Sequence, residues 1–344
     1  MSDLRTGLVF DQRYLHHCIP LASLENPGRM RSLYLTLSLS GYTERCRVIE
    51  PREANIEEVL AVHSSFYLEQ IRKHAVNPDP FSYDRDSYLM EDSLVTALLA
   101  SGGCMNLADK IMTGELDQGF ALVRPPGHHA STGRGMGFCI VNNIAVTAEY
   151  LRNTYGLSRI LIVDFDAHHA NGTQDIFYDT NEVMVLSVHQ QGIFPFSGKV
   201  EETGVDKGLG YTINVPVYSQ FGDCEYTFLL GRLLNAVCAQ YLPQIILVSA
   251  GYDGHEDDSI SQIRLSTGWF RSIAMMLRFH AKQVCDNRLL LVLEGGYNPC
   301  CLEASILSTL DGLLDRKVEP VGVMHARRAD RILIDHPLKQ FWTL

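Results

Sequence analysis

Hydrophobic residues along the chain gather in short unbroken runs, set apart by longer stretches in which apolar positions recur at helical spacing. Five runs, at 7–10, 159–163, 183–188, 245–249 and 289–293, are dense in Val, Ile and Leu. A strand with one wet face alternates apolar and polar residues, so unbroken runs predict strands covered on both faces, as parallel strands are. Helices are predicted at 92–112, 141–152, 223–242 and 267–284. Their alternation with the runs predicts an α/β fold whose central, mostly parallel sheet carries helices on both faces. No Gly/Ser or Pro tract divides the chain, and no repeat is evident, so residues 1–344 are read as a single domain. In such sheets ligands collect at the carboxyl ends of the strands. The polar residues that follow each run are therefore the first place to look for chemistry.

The run RILIV leads straight into DFDAHHANGTQ, which puts Asp164, Asp166, His168 and His169 at a strand end. In an extended segment Asp164, Asp166 and His168 alternate onto one face. Buried polar groups need partners, either hydrogen bonds or a metal shared by Asp166 and His168. A second run, IILVS, ends in AGYDGHEDD, and Asp253 stands ready to complete a two-carboxylate, one-imidazole set. Three protein ligands with one open position is the catalytic zinc pattern. The neighbouring His255, Glu256, Asp257 and Asp258 read as a solvated turn. After the run FALV comes RPPGHHA, whose His128 and His129 are either a proton-transferring pair beside a water or two structural loop histidines. After LLLV comes LEGGY, which presents Tyr297 either as an oxyanion donor or as packing at a turn. GRGMGF, at 133–138, lacks the spacing of a phosphate loop and reads as a plain loop. Ser249 sits in no nucleophile elbow.

Composition narrows the classes. Lys plus Arg number 29 against 40 Asp plus Glu, a formal charge of −11. Direct nucleic-acid binding needs a basic face and is not expected, whereas an acidic surface suits cationic substrates. The nine cysteines contain no CxxC pair, and Cys300 and Cys301 are neighbours, as expected of reduced thiols. The charged N-terminal segment and the absence of a bilayer-length apolar run predict a soluble, cytoplasmic protein without membrane contact. The 13 histidines include three adjacent pairs, His16-His17, His128-His129 and His168-His169, where composition alone predicts roughly half a pair. Two of these pairs fall in the strand-end motifs; His16-His17 has no carboxylate motif beside it and reads as loop or rim.

In order, RPPGHHA, GMGFCIVNNIAV, DFDAHHANGTQDIF, SAGYD and LEGGY, spanning residues 124–297, resemble the arginase-like deacetylase superfamily. This comprises the zinc-dependent histone deacetylases and their acetylpolyamine and acetoin-utilisation relatives. RPPGHHA and HHANGTQ look more like the class II branch and bacterial members. Upstream, NPGRM and VHSSFYLEQI continue the resemblance; the family's usual His-Pro-Glu is met by Glu25-Asn26-Pro27.

The resemblance implies an arginase/deacetylase-like fold and one Zn²⁺ per chain, held by Asp166, His168 and Asp253. His129 would be the principal general base and acid, with His128 an electrostatic partner, Asp164 bonded to His128 and Asn171 supporting His129. Tyr297 would stabilise the oxyanion. Phe138 and Phe194 would wall a narrow tunnel, with Gly137 making room, and Arg29 would lie near a channel below the site. A structural K⁺ or Na⁺ would sit near Asp164, Asp166, His168 and Ser187, and a second near Phe177, Thr180, Val183 and Tyr211. Ile260 stands where one polyamine-selective branch carries a glutamate; Asp84 and Asp86 belong to the rim or to solvent. The expected reaction is zinc-dependent hydrolysis of an N-acetyl amide, acetyl-lysine in a protein or peptide ahead of an acetylated polyamine or small molecule. An arginase-type ureohydrolase would need more carboxylates for two ions, yet Ala170 follows His169 and SAGYD supplies one aspartate. An inactive acetyl-lysine-binding module would have lost a ligand, histidine or tyrosine, and none is lost.

Overall fold

The computed structural model describes residues 5–18, 23–76 and 79–344; residues 1–4 of the charged N-terminal segment lie outside the described residues. The apolar runs do become strands. In chain order the strands are β1 (Thr6–Val9), β2 (Arg47–Val48), β3 (Phe81–Ser82), β4 (Tyr88–Leu89), β5 (Gln118–Ala121) and β6 (Ile160–Asp164). They continue with β7 (Val183–Gln190), β8 (Thr212–Val217), β9 (Ile245–Ala250) and β10 (Leu289–Leu293). Eight form one sheet in the order β2-β1-β5-β10-β9-β6-β7-β8, and every pairing in it is parallel. β3 and β4 make a separate antiparallel pair. All residues of β6, β7, β9 and β10 are buried, which is why their sequences show no alternation.

Helices cover the sheet in two groups. Ser93–Met112 packs with Asn143–Tyr155, while Thr267–Val284 packs with Pro299–Leu313 and Asp223–Tyr241. Gly7 and Gly119 are register partners on β1 and β5. A Cβ at either would come within 2.5 or 2.7 Å of Leu107, so these glycines let the helix Ser93–Met112 lie close on the sheet. Among the described residues no helix is long and apolar enough to cross a membrane.

Boundaries differ from the sequence reading where caps act. The helix expected at 141–152 is Asn143–Tyr155, because the Asn142 side chain accepts from the Ala145 N–H and Gly156 closes the other end in the left-handed region. The unforeseen β8 holds Asn214 and Pro216, and proline is tolerated there because β8 is an edge strand. The strand order has one consequence for function: β5, β10, β9, β6 and β7 are neighbours, so their five carboxyl ends open onto one place.

Candidate active site

The first motif does not stay extended. β6 ends at Asp164, whose Oδ1 accepts the Asp166 N–H at 3.0 Å; Asp166 Oδ1 in turn accepts the His168 N–H at 2.9 Å. These contacts accompany a bend in the segment, and the other oxygen of Asp164, Oδ2, lies 3.0 Å from His128 Nδ1. Asp166 and His168 meet Asp253 from the end of β9, with His168 Nδ1 2.8 Å from Asp253 Oδ2 and 3.1 Å from Asp166 Oδ1. One ligand atom from each of the three lies within 4.8 Å of the others, and all three residues are buried.

The donor set fits a divalent cation. Two buried carboxylates side by side carry charge that one imidazole does not balance, and burial with the adjacent Asp166 pushes Asp253 up to about 7. The remaining oxygens are already held: Asp166 Oδ2 accepts the Gly295 N–H at 2.9 Å and Asp253 Oδ1 the Ala167 N–H at 2.9 Å. Backbone thus fixes the carboxylates around a shared centre. Asp166 and His168 also line a channel of about 230 Å³, which leaves that centre accessible.

The histidine pair enters the same channel from the loop after β5, and its two rings have different partners. His128 Nδ1 lies 3.0 Å from Asp164 Oδ2. Burial opposes its charging, but Asp164 and Asp166 outweigh burial and raise its pKa to about 10. His129 Nδ1 lies 2.7 Å from the neutral Oδ1 of Asn171. Burial, then the positive charges of His128 and His168, hold His129 well below the usual histidine value. A neutral imidazole that donates through Nδ1 keeps its Nε2 lone pair free. The two rings thus differ: His128 is held charged by Asp164, while His129 is neutral with Nε2 left to accept.

Gly137, Phe138, Ile193, Phe194, Ile260, Leu24, Asp86 and Tyr297 line the channel. A Cβ at Gly137 would come within 2.5 Å of His129 and 2.7 Å of Phe194, and its φ of +55° is one that glycine favours. Asp84 is part of the scaffold: its Oδ2 accepts the Gly137 N–H at 3.2 Å. Tyr297 packs on Phe138, and the Arg29 guanidinium lies 4.6 Å over its ring. Burial raises the Tyr297 phenol well above its usual value, so it remains a proton donor.

Three supporting acids escaped the sequence reading. Asp258 is buried, not solvated: its Oδ2 accepts the N–H groups of Tyr297 at 2.6 Å and Asn298 at 3.0 Å. His255 is buried as well, whereas Glu256 and Asp257 are exposed. Glu294, at the end of the apolar β10, takes the N–H groups of Gly127 at 2.7 Å and His128 at 3.1 Å. Its position in LEGGY, an acid closing a wholly apolar strand, was the available signal.

The third acid, Glu25, is fully buried between Arg124 and Arg29, at 2.7 Å from Arg124 Nη2 and 3.0 Å from Arg29 Nη1. His17 belongs to this cluster and is no rim residue: it is buried, stacks on Tyr88 and bonds Ser93 Oγ at 2.9 Å. Arg29 continues from Glu25 to the carbonyls of Gly296 and Glu294, and so ties the cluster to the Tyr297 turn. Burial raises the Glu25 pKa, but Arg124 and Arg29 overcome it and leave the carboxyl at about 2. Its stabilising contribution is present above the unfolded carboxyl value and is lost as pH falls toward 2. Glu25→Gln should cost about 3–5 kcal/mol, as removal of one partner from a buried ion cluster does. Urea titrations at several pH values should show the gap from wild type narrowing below about pH 4.5.

A neutral histidine beside a carboxylate–imidazole cradle at a channel floor, at the strand ends of a parallel sheet, is hydrolase architecture. Relatives specify which hydrolase. Residues 23–313 match the histone deacetylase domain family. The chain is 36% identical over 298 residues to a probable deacetylase of Archaeoglobus fulgidus, covering 85% of this chain and 81% of the relative. It is 33% identical over 340 residues to a histone deacetylase-like amidohydrolase of Pseudomonas aeruginosa, covering 92% and 89%. The crystal structure of the HDA15 HD domain matches with a TM-score of 0.90 and 31% identity, over 99% of this chain and 96% of that one. The chain belongs to the histone deacetylase family and is a hydrolase acting on amide bonds.

Proposed function

We propose that the chain removes acetyl groups from lysine side chains of proteins or peptides in a Zn²⁺-dependent reaction. The observation that carries this reading is the channel itself. Phe138, Phe194, Ile193 and Ile260 give it apolar walls suited to the methylene stem of one lysine, with the cradle and histidine pair at its floor. An acetylated polyamine carries ammonium groups along its chain, and among the described residues the only carboxylate on the channel lining besides Asp166 is Asp86. Ile260 adds no charge. Apolar walls leave such ammonium groups unpaired, which disfavours the polyamine alternative.

Asp166, His168 and Asp253 would hold the metal, which when bound supplies Lewis-acid polarisation of a carbonyl and acidifies water. The chain's own residues do the rest. Phe138 and Phe194 align the acyl-lysine stem and exclude solvent. His129 Nε2 takes the proton of the attacking water, while the Tyr297 hydroxyl donates to the developing oxyanion. His129 then returns the proton to the departing amine nitrogen, and the C–N bond breaks to acetate and free lysine. The charge on His128, held by Asp164, favours the negative intermediate. A structural K⁺ or Na⁺ beside Asp164 and Ser187 is part of the same reading and rests on the family resemblance.

A side-by-side kinetic panel of acetyl-lysine peptides and acetylpolyamines tests the assignment. Acetyl-lysine peptides should give the higher kcat/KM, and preference for acetylpolyamines would reverse it. Tyr297→Phe should lower kcat by about 10²–10³-fold with little change in KM, the loss expected for one oxyanion donor. Unchanged turnover would remove Tyr297 from the mechanism.

A further inference from the structure

A second opening adjoins the channel and takes no part in the chemistry described so far. It is a groove of about 490 Å³ that shares Ile193 and Ile260 with the channel lining. Its remaining walls come from the turn after β7, the end of β8 and the loop after Asp253, and among the described residues they include no Asp, Glu, Lys or Arg.

The three segments are braced against one another. The buried Gln190 accepts the Gln262 N–H on its Oε1 at 2.7 Å, and the Gln191 N–H reaches the Val217 carbonyl at 2.9 Å. Ser261 Oγ donates to the carbonyl of Asp253 at 2.7 Å, which links the groove wall directly to a cradle residue. What faces outward is neutral and polar. Gln191, Tyr218, Ser219 and Gln262 are exposed, and their side-chain amides and hydroxyls are not used in holding the walls together.

We infer that this groove holds the main chain of the substrate on one side of the modified lysine, a peptide subsite joined to the channel at Ile193 and Ile260. This rests on the acyl-lysine reading above. Amide and hydroxyl side chains both donate and accept, as a peptide main chain does, and so can pair with it in extended form. A charge-reading subsite would need ionised side chains, and a polyamine tail would need carboxylates; neither lines the groove. Recognition here is of backbone, with little selection by the charge of flanking side chains and little loss at high salt.

Two substrates separate this from the reading beneath it: acetyl-lysine capped at both ends as a single residue, and the same residue within an uncharged extended peptide. The extended peptide should have the lower KM, and the advantage should persist from about 0.05 to 0.5 M salt, where screening removes surface charge effects. The double variant Gln191→Ala, Gln262→Ala should lower kcat/KM for the extended peptide about tenfold, mainly through KM, as loss of two neutral hydrogen bonds does. Its activity on the capped single residue should be unchanged, which also shows that the variant is folded. N-methylation of the flanking amides should remove the same advantage from wild type. Equal loss on both substrates, no loss on either, or an advantage abolished by salt overturns the subsite and leaves the deacetylase reading standing. Failure of metal-replete wild type to turn over even the capped residue overturns the acyl-lysine reading, and the subsite with it.

Discussion

His129→Ala should lower kcat by about 10²–10⁴-fold, the range over which a positioned proton-transfer group contributes. KM should move only a few-fold, because the phenylalanine walls remain. The matching His128→Ala variant should lose less. The asymmetry follows from what stands behind each ring: a carboxylate of Asp164 at 3.0 Å behind His128 and an amide oxygen of Asn171 at 2.7 Å behind His129. A carboxylate keeps its imidazole protonated and unable to accept; an amide fixes the tautomer without adding charge. Single-turnover rates of the two variants on one acetyl-lysine peptide decide the matter. A larger loss at His128 would exchange the two roles.

Dialysis against a strong chelator should abolish turnover, by more than about 10³-fold, since a metal Lewis acid supplies several kcal/mol to amide hydrolysis. Addition of one equivalent of Zn²⁺ should restore it. A readout independent of activity accompanies this: metal bound to the folded state alone raises Tm, so the chelated protein should melt lower. Asp253→Ala should melt like the chelated protein and gain nothing from added Zn²⁺. Full activity in the metal-free protein would remove the cradle from the mechanism, and two manganese ions per chain would favour the ureohydrolase alternative.

Much of the site was legible because its chemistry is local in sequence. Asp166 and His168 are separated by one residue, His128 and His129 are adjacent, and Tyr297 follows two glycines. Each motif lies directly after an apolar run, so strand-end placement could be read from the pattern. The supporting acids were harder. Asp258 stands among Glu256, Asp257 and Ser259, which are exposed, and nothing in that run of polar residues marks the one that turns inward to hold the Tyr297 backbone. Glu25 resembles a loop residue until Arg124, 99 positions away, closes on it.

By itself the sequence determined five of the strands, β1, β6, β7, β9 and β10, and the polar motifs that stand at strand ends. Val, Ile and Leu runs make parallel strands because both faces must be buried, and polar residues at their ends mark where that burial stops. Tertiary structure alone decided which residues meet. Parallel strands pair only after long crossovers, so adjacency in the sheet is not adjacency in the chain. The order β5-β10-β9-β6-β7 brings Asp253 to His168 across 85 residues and Glu294 to the His128 loop across 166. It also divides labour within the histidine pair. Two identical side chains come to differ because Asp164, at the end of β6, stands behind His128 while Asn171, seven residues on, stands behind His129.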